Sequence, residues 1–501
     1  MAAATTLAIA PGVLGSERAS AWRTRLPIFA GALILRLTAG ALFFGSVDTI
    51  NLITNSIALA QGKTVALPYF PTVNALIWLG GVLAAYTPLP FSLCMKLVPI
   101  LFDSLLAVLI FDLVARTAPR VALRCGVLYA LSPVALLIDS FHGQWDSIAL
   151  FFLLLAFAVR AGESTKGREF LFGVVFSISL LVKPIALPFL LLFPRRKRET
   201  ATSPWAALAG LLFAFSVAFT IYAACGYSML DMSIGIISYS AKGVQVFGLP
   251  FAPVLAKLSI QSYRLAWVIP AIVTLAVLYH RRRVTATDAM LLFYLFTLAT
   301  SGLSPQYLLW PIPLLLVSRR LRLAAAYNAI AMLFLLFYYM NPWASYFPFE
   351  NLAMFAPLRG LGWLLPPAAF ATRELLPWVH ALGNVVFPAC SSIIAWLVFR
   401  SHREPQSETG WSARTTAWYA APAGAIGLTI LLLRAGVSEQ YVRVRVLEIW
   451  KALPAQYAMH VQSMSPSAIF VGDFGSFGLL NVVLLLALLT TVWCAAAATE
   501  R

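Results

Sequence analysis

Asp139-Ser-Phe-His-Gly-Gln-Trp-Asp-Ser147 lies between two apolar runs, residues 121–138 and 148–159, and how it is read decides the fold. An ionisable side chain left in hydrocarbon costs from about 3 kcal/mol upward. Asp139, His142 and Asp146 at one helix junction therefore point to use rather than accident. The plainer alternative is a polar loop that merely turns the chain. Turn loops favour Gly, Asn and Ser, and seldom combine His, Gln, Trp and Asp so closely.

Hydrophobic residues make up 61% of the 501 and charged residues only 11%, which excludes a soluble globular protein and leaves an all-α polytopic membrane protein. Apolar runs long enough to cross a bilayer, about 20 residues of helix each, recur along the chain. The net charge of +17 is no nucleic-acid footprint, because it is broken into short clusters between apolar runs: Arg116/Arg120/Arg124, residues 195–198, 280–283, 319–322 and 400–403. That spacing is the positive-inside pattern, and no nucleic-acid partner is expected. The cysteines Cys94, Cys125, Cys225, Cys390 and Cys494 stand singly, without metal-ligand spacing, and read as small core residues without disulfides. The first apolar run is too long for a signal-peptide core and is kept as a membrane helix.

With the basic clusters inside, membrane helices are expected at residues 26–46, 92–115, 121–139, 147–160, 204–225, 262–279, 286–302, 304–317, 323–340, 378–399, 416–434 and 476–498. The full count is about 12 to 14. Residues 49–90 would put the Arg116 cluster outside if they crossed, so they are expected as interfacial helices in a first outer loop, broken by Pro68, Pro71, Pro88 and Pro90. Asp48 and the 139–147 cluster then share the outer side. Residues 170–193 have basic loops at both ends, which predicts a re-entrant pair of half-helices broken at Lys183-Pro184, with Lys183 facing a cavity. A straight, kinked helix with a snorkelling Lys183 is the alternative. The long stretches 226–261, 341–377 and 435–475 are expected outside. By segment, residues 1–25 form a cytoplasmic tail, 26–320 a membrane module with an outer-face cavity, and 321–501 further membrane helices with outer loops.

Inside the membrane, Arg36 sits mid-helix, and Lys96 and Asp103 lie seven apart on one helix face. They are expected as a structural ion network that fixes helix register. Asp48 follows a helix C-terminus, where an acid gains nothing from the helix dipole; it is either a surface acid or a functional one. In Ser304-Pro-Gln-Tyr-Leu-Leu-Trp310, Ser304 suits an N-cap and Pro305 a first turn, while Gln306 and Tyr307 add donors at a helix start that would favour an anion.

Asp48, Tyr69-Phe-Pro71, Lys96 with Phe102-Asp103, His142-Gly-Gln-Trp-Asp-Ser147, Lys183-Pro184 and Ser304-Pro-Gln-Tyr307, in that order and on one side, resemble the GT-C superfamily of integral-membrane glycosyltransferases. Within it the chain is most similar to bacterial relatives of the GPI mannosyltransferases and of the glucosyltransferases that extend lipid-linked oligosaccharides. The resemblance covers about residues 26–320; nothing after about residue 340 carries it. It implies a GT-C-like fold in a bacterial plasma membrane, and transfer of a hexose, mannose favoured, from a polyprenyl-phosphate sugar. The acceptor is lipid-linked or part of the cell envelope, the reaction face is non-cytoplasmic, and the anomeric carbon inverts. It further implies Asp48 as general base on the acceptor hydroxyl. Lys183, His142, Gln144 and Gln306 are implied as groups for the leaving phosphate, with Tyr307 beside them. Asp146 is implied either to bind sugar hydroxyls or to orient His142.

Two departures matter: the usual double proline of the first loop is here Phe70-Pro71, and the outer loops carry no Asp-x-Asp or Glu-x-Asp pair. One isolated acid holds Mg²⁺ poorly, so no cofactor or divalent metal is expected. The rival readings are a transporter or lipid flippase, and a membrane scaffold. Transporters tend to pair broken helices in two halves, whereas a single break is visible here. A scaffold leaves Asp48 and the 139–147 cluster unexplained.

Overall fold

A computed structural model describes residues 16–42, 45–60, 70–161, 165–192, 204–230, 232, 260–281, 283–300, 305–339, 345–346 and 386–401. The described chain is helical, and three of its helices are long and apolar enough to cross a membrane: Phe91–Ala115, Pro119–Phe141 and Trp205–Ala224. The helices expected at 416–434 and 476–498, most of the three long outer stretches, and Tyr69 and Ser304 lie outside the described residues.

Helix α1 (Ser16–Leu42) begins ten residues before the expected membrane run, so the boundary between tail and module at residue 25 falls inside a continuous helix. After it, the two-residue strand Gly45–Ser46 pairs antiparallel with Ser345–Tyr346. Helices α2 (Val47–Ala60) and α3 (Pro71–Tyr86) fill the stretch read as interfacial, with Pro71 at the first turn of α3, where its missing N–H costs nothing. Helix α4 (Phe91–Ala115) is the central strut. It packs against α1 and against α5 (Pro119–Ala130), α3 and α7 (Asp146–Arg160).

Within the span Pro119–Phe141, the helix expected over 121–139 is not uniformly α-helical. Helix α5 ends at Ala130, and a short α6 (Pro133–Ala135) restarts from Ser132, whose hydroxyl accepts from the Ala135 N–H. A π-turn over Leu136–Phe141 follows. The break is stabilised from α1. Arg36, fully buried, pairs with Asp103 of α4 and donates to the Ala130 carbonyl at 2.7 Å, at the C-terminus of α5, and at 3.3 Å to that of Tyr129, which also accepts the Ser132 N–H at 3.0 Å. Tyr129 donates to the other Asp103 oxygen at 2.5 Å. Arg36, Asp103 and Tyr129 thus form a buried polar cluster that ties α1 and α4 to the end of α5. Lys96, also buried, sits elsewhere, with its stem against Gly143.

Helices α7 and α8 (Lys166–Val182) run antiparallel, tied by Ser179 Oγ to Ala149 O at 2.7 Å and by Arg160 to Glu169 at 3.5 Å. Helix α8 starts at Thr165, which caps the Arg168 N–H, and stops at Lys183, whose backbone is extended. The following proline disfavours helical backbone at that residue. The chain continues as a 3₁₀ helix, Pro184–Leu192, that returns toward the end where α8 began. Ile185 O lies at the Tyr294 hydroxyl, Phe189 packs on Phe293, and Leu191 O meets His280 at 3.0 Å. His280 closes the helix Ile260–His280, and the next helix, Ala286–Thr300, opens with Asp288 paired to Arg320. Arg319 beside it and Arg124 both lie near enough to Cys125 to act on it electrostatically, which sets this end beside the first turns of α5. The reversal expected at Lys183-Pro184 is therefore present: both arms reach the end that carries Arg116, Arg124, Arg160, Arg319 and Arg320.

Further along, the segment read as one helix over 304–317 is a 3₁₀ helix, Pro305–Leu309, followed by the helix Pro311–Val317, because Pro311 and Pro313 each remove an N–H that a continuous helix would need. The helices Leu321–Tyr339 and Phe387–Ser401 complete the described bundle; residues 378–385 of the helix expected over 378–399 lie outside the described residues.

The closest helix pair is α8 with α9 (Pro204–Ala224). A Cβ at Gly173 would lie 2.0 Å from Ala207 O, and one at Gly210 would lie 2.0 Å from Phe170 O, so these backbones touch only because both residues are glycine. Gly173→Leu should force α8 and α9 apart and lower the melting temperature of the detergent-solubilised protein by several degrees. Gly31→Ala in α1, where nothing lies within 4 Å, should leave it equal or higher, since Ala is favoured in helix by about 1 kcal/mol. A thermal melt of the two variants checks the contrast.

Candidate functional site

The π-turn sets the site. His142 N bonds Leu137 O at 2.8 Å and Gln144 N bonds Ile138 O at 3.1 Å, so the chain widens rather than continuing as α-helix. Gly143 then takes φ +76°, a left-handed conformation that a side chain resists. A Cβ there would also lie 3.2 Å from Lys96 Cγ and 3.4 Å from Thr49 Oγ1. These constraints swing His142 and Gln144 across to α2. Thr49 Oγ1 holds the His142 carbonyl at 3.2 Å.

At that contact Asp48, in the first turn of α2, meets both side chains on one oxygen. His142 Nε2 lies 2.7 Å from Asp48 Oδ2, and Gln144 Nε2 donates to the same atom at 2.6 Å. The Asp48 side chain is 36% exposed, against 3% for His142, so the carboxylate opens outward while its supports are buried.

A second carboxylate behaves oppositely. Asp146, fully buried, accepts from Lys183 Nζ on Oδ2 and from Trp310 Nε1 on Oδ1 at 2.6 Å. Lys183 Nζ also lies 3.4 Å from Gln144 Oε1. One connected chain of polar groups results, running Trp310, Asp146, Lys183, Gln144, Asp48, His142. It joins four separate parts of the polypeptide. Deeper in, Asp139 accepts from Ser147 Oγ at 2.7 Å, while its other oxygen has no partner among the described residues.

The structure thus brings Asp48, His142, Gln144, Asp146 and Lys183 together. It alters three expectations. Asp146 does not orient His142; its oxygens serve Lys183 and Trp310, and Asp48 orients His142. His142 and Gln144, read as phosphate donors, both aim at Asp48. Gln306 and Tyr307 begin a five-residue 3₁₀ helix rather than the start of a long helix, so no sizeable helix dipole backs them. Tyr307 instead packs on Trp310 with ring centroids 4.3 Å apart, and Gln306 is buried beside it. Trp310 was not singled out in the sequence, although a buried indole N–H needs an acceptor and this was the available signal. Thr49 and Gly143 were also missed. Among the described residues no group of three or more His, Cys, Asp or Glu side chains gathers as a metal site would require.

No protein-family model matches the chain, and comparison with curated proteins and with solved structures returns no match.

Asp146 is fully buried and depends on Lys183 for its counter-charge. Lys183→Met should strand it and destabilise the protein by about 3–5 kcal/mol, whereas adding Asp146→Asn should restore a large part of the loss. Denaturation of the single and double variants in detergent measures the coupling.

Proposed function

We propose that the protein is a polytopic GT-C-type glycosyltransferase that moves a hexose, mannose favoured, from a polyprenyl-phosphate sugar to a lipid-linked or cell-envelope acceptor. The full chain crosses a bacterial plasma membrane about 12 to 14 times, with α2 and α3 lying in the outer interface. The bond-making step is a single displacement. The acceptor oxygen attacks the anomeric carbon, the bond from that carbon to the phosphate oxygen breaks, the acceptor proton passes to Asp48, and the phosphate leaves with the electron pair.

One observation carries this reading: a half-exposed carboxylate, Asp48, and a cation, Lys183, stand on opposite sides of one amide, that of Gln144. Displacement at a sugar phosphate needs a base toward the acceptor and positive charge toward the leaving group. His142 keeps the Asp48 carboxylate directed. The chain reversal at Lys183-Pro184 carries the ammonium to the level of the carboxylate, on the end of the bundle away from the basic clusters. The positive-inside pattern makes that end non-cytoplasmic.

Purified protein in detergent, supplied with a synthetic polyprenyl-phosphate hexose and a lipid-linked acceptor, should form the glycosylated product. Asp48→Asn should cut turnover by about 10²- to 10⁴-fold, the usual contribution of a positioned base. Unchanged turnover in the variant removes Asp48 from that role. Movement of the lipid-linked sugar across proteoliposomes with no covalent product would make the protein a flippase instead.

A further inference from the structure

Gln144 is joined at both ends of its side chain to charges of opposite sign. Its amide nitrogen donates to Asp48 Oδ2 at 2.6 Å, and its amide oxygen faces Lys183 Nζ at 3.4 Å. Turning the amide over would set a carbonyl against a carboxylate and an NH₂ against an ammonium, so only one orientation is compatible with both neighbours. The backbone is fixed as well, by the Gln144 N–H on Ile138 O and by the left-handed Gly143 before it, and the residue is 4% exposed. A buried, orientation-locked amide of this kind is spent on protein groups and is not offered to substrate phosphate.

We propose that Gln144 is a positioning residue for Asp48: it keeps that carboxylate ionised and fixed, and it ties it electrostatically to Lys183. A hydrogen bond donated to the charged form of an acid favours that form. The Lys183 ammonium, at 3.4 Å, acts on the amide chiefly as a charge, polarising it so that its N–H becomes a better donor to Asp48. The site thereby ties the base to the group that would meet the leaving phosphate. This deepens the glycosyl-transfer reading, and rests on it only for what Asp48 then does.

The charged and titratable groups around Asp48 are His142 on the same loop, Lys183 at the end of α8, Asp146 at the start of α7, and Lys96 of α4 behind Gly143, with Asp139 and the Arg36–Asp103 pair deeper in. The readout must therefore be specific to Asp48. Infrared titration of the full chain in micelles supplies it, following the protonated-carboxyl band that Asp48→Asn removes. Gln144→Leu should move the midpoint of that band upward by about one pH unit, a ~10-fold gain in proton affinity. Gln144→Glu, nearly the same shape, should move it further, because two facing carboxyls share one proton. It also keeps the test alive if the leucine variant folds poorly.

Lys183→Met should raise the midpoint too, and its effect combined with Gln144→Leu should be less than the sum of the two. A midpoint unchanged in both Gln144 variants overturns the proposal, and strictly additive shifts overturn the link to Lys183. Turnover is read separately with polyprenyl-phosphate hexose: Gln144→Leu should lower kcat with little change in the donor KM, whereas a raised KM at constant kcat would return Gln144 to phosphate binding. If the wild type transfers no sugar, the glycosyl-transfer reading fails while the titration result stands unaffected.

Discussion

Asp146 has no exposure to solvent, and everything near the site depends on how its charge is met. An isolated buried carboxylate is too costly to persist, so its presence requires a cation and hydrogen-bond donors at fixed places. Lys183 and Trp310 fill those places. One comes from the end of α8 and the other from the stretch between two proline-started helical segments, about 164 residues along the chain from Asp146. A single carboxylate therefore sets how α7, α8 and the 305–317 segment meet.

The two site carboxylates divide the work by environment. Asp146 is saturated and closed, which suits a structural hub. Asp48 is held on one oxygen by two donors yet opens outward, which suits a group that must meet something from outside. The separation traces to backbone events that break helices. Helix α5 can stop early because Arg36 meets the Ala130 carbonyl and the Ser132 N–H meets that of Tyr129, and the π-turn and Gly143 then carry His142 and Gln144 sideways to α2. Had the helix run straight through, those side chains would have stayed on its own flank.

How far the sequence disclosed this can be followed residue by residue. The helical, membrane-type character was legible from apolar runs and basic clusters, and the break at Lys183-Pro184 from a proline with basic loops on both flanks. Grouping Asp48 with the 139–147 cluster was legible from sidedness alone, and their contact is seen. The partners were not legible. The resemblance left Asp146 either to bind sugar hydroxyls or to orient His142 four residues away, but the left-handed Gly143 lies between them and the imidazole turns to α2, so Asp48 takes it and Asp146 is left to Lys183. Trp310 stayed invisible because its role arises only when a distant segment packs against α7. The break at Ala130 was hidden too, since what stabilises it is an arginine from another helix.

Lys183 gains its position from the same proline that ends its helix. On a straight helix a lysine at this depth would extend its stem toward the nearest water and stay mobile. Here the residue before proline is extended, and the chain turns back at once, so the side chain leaves from an apex rather than a flank. Two acceptors, Asp146 and Gln144, hold its ammonium, yet its side chain keeps 15% exposure. An ammonium has three N–H groups, and among the described residues two are directed at these acceptors, closely at Asp146 and more loosely at Gln144. Among the described residues one donor remains, and under the proposed reaction it would meet the leaving phosphate without breaking either bond, so that one group would both close the fold and serve the chemistry.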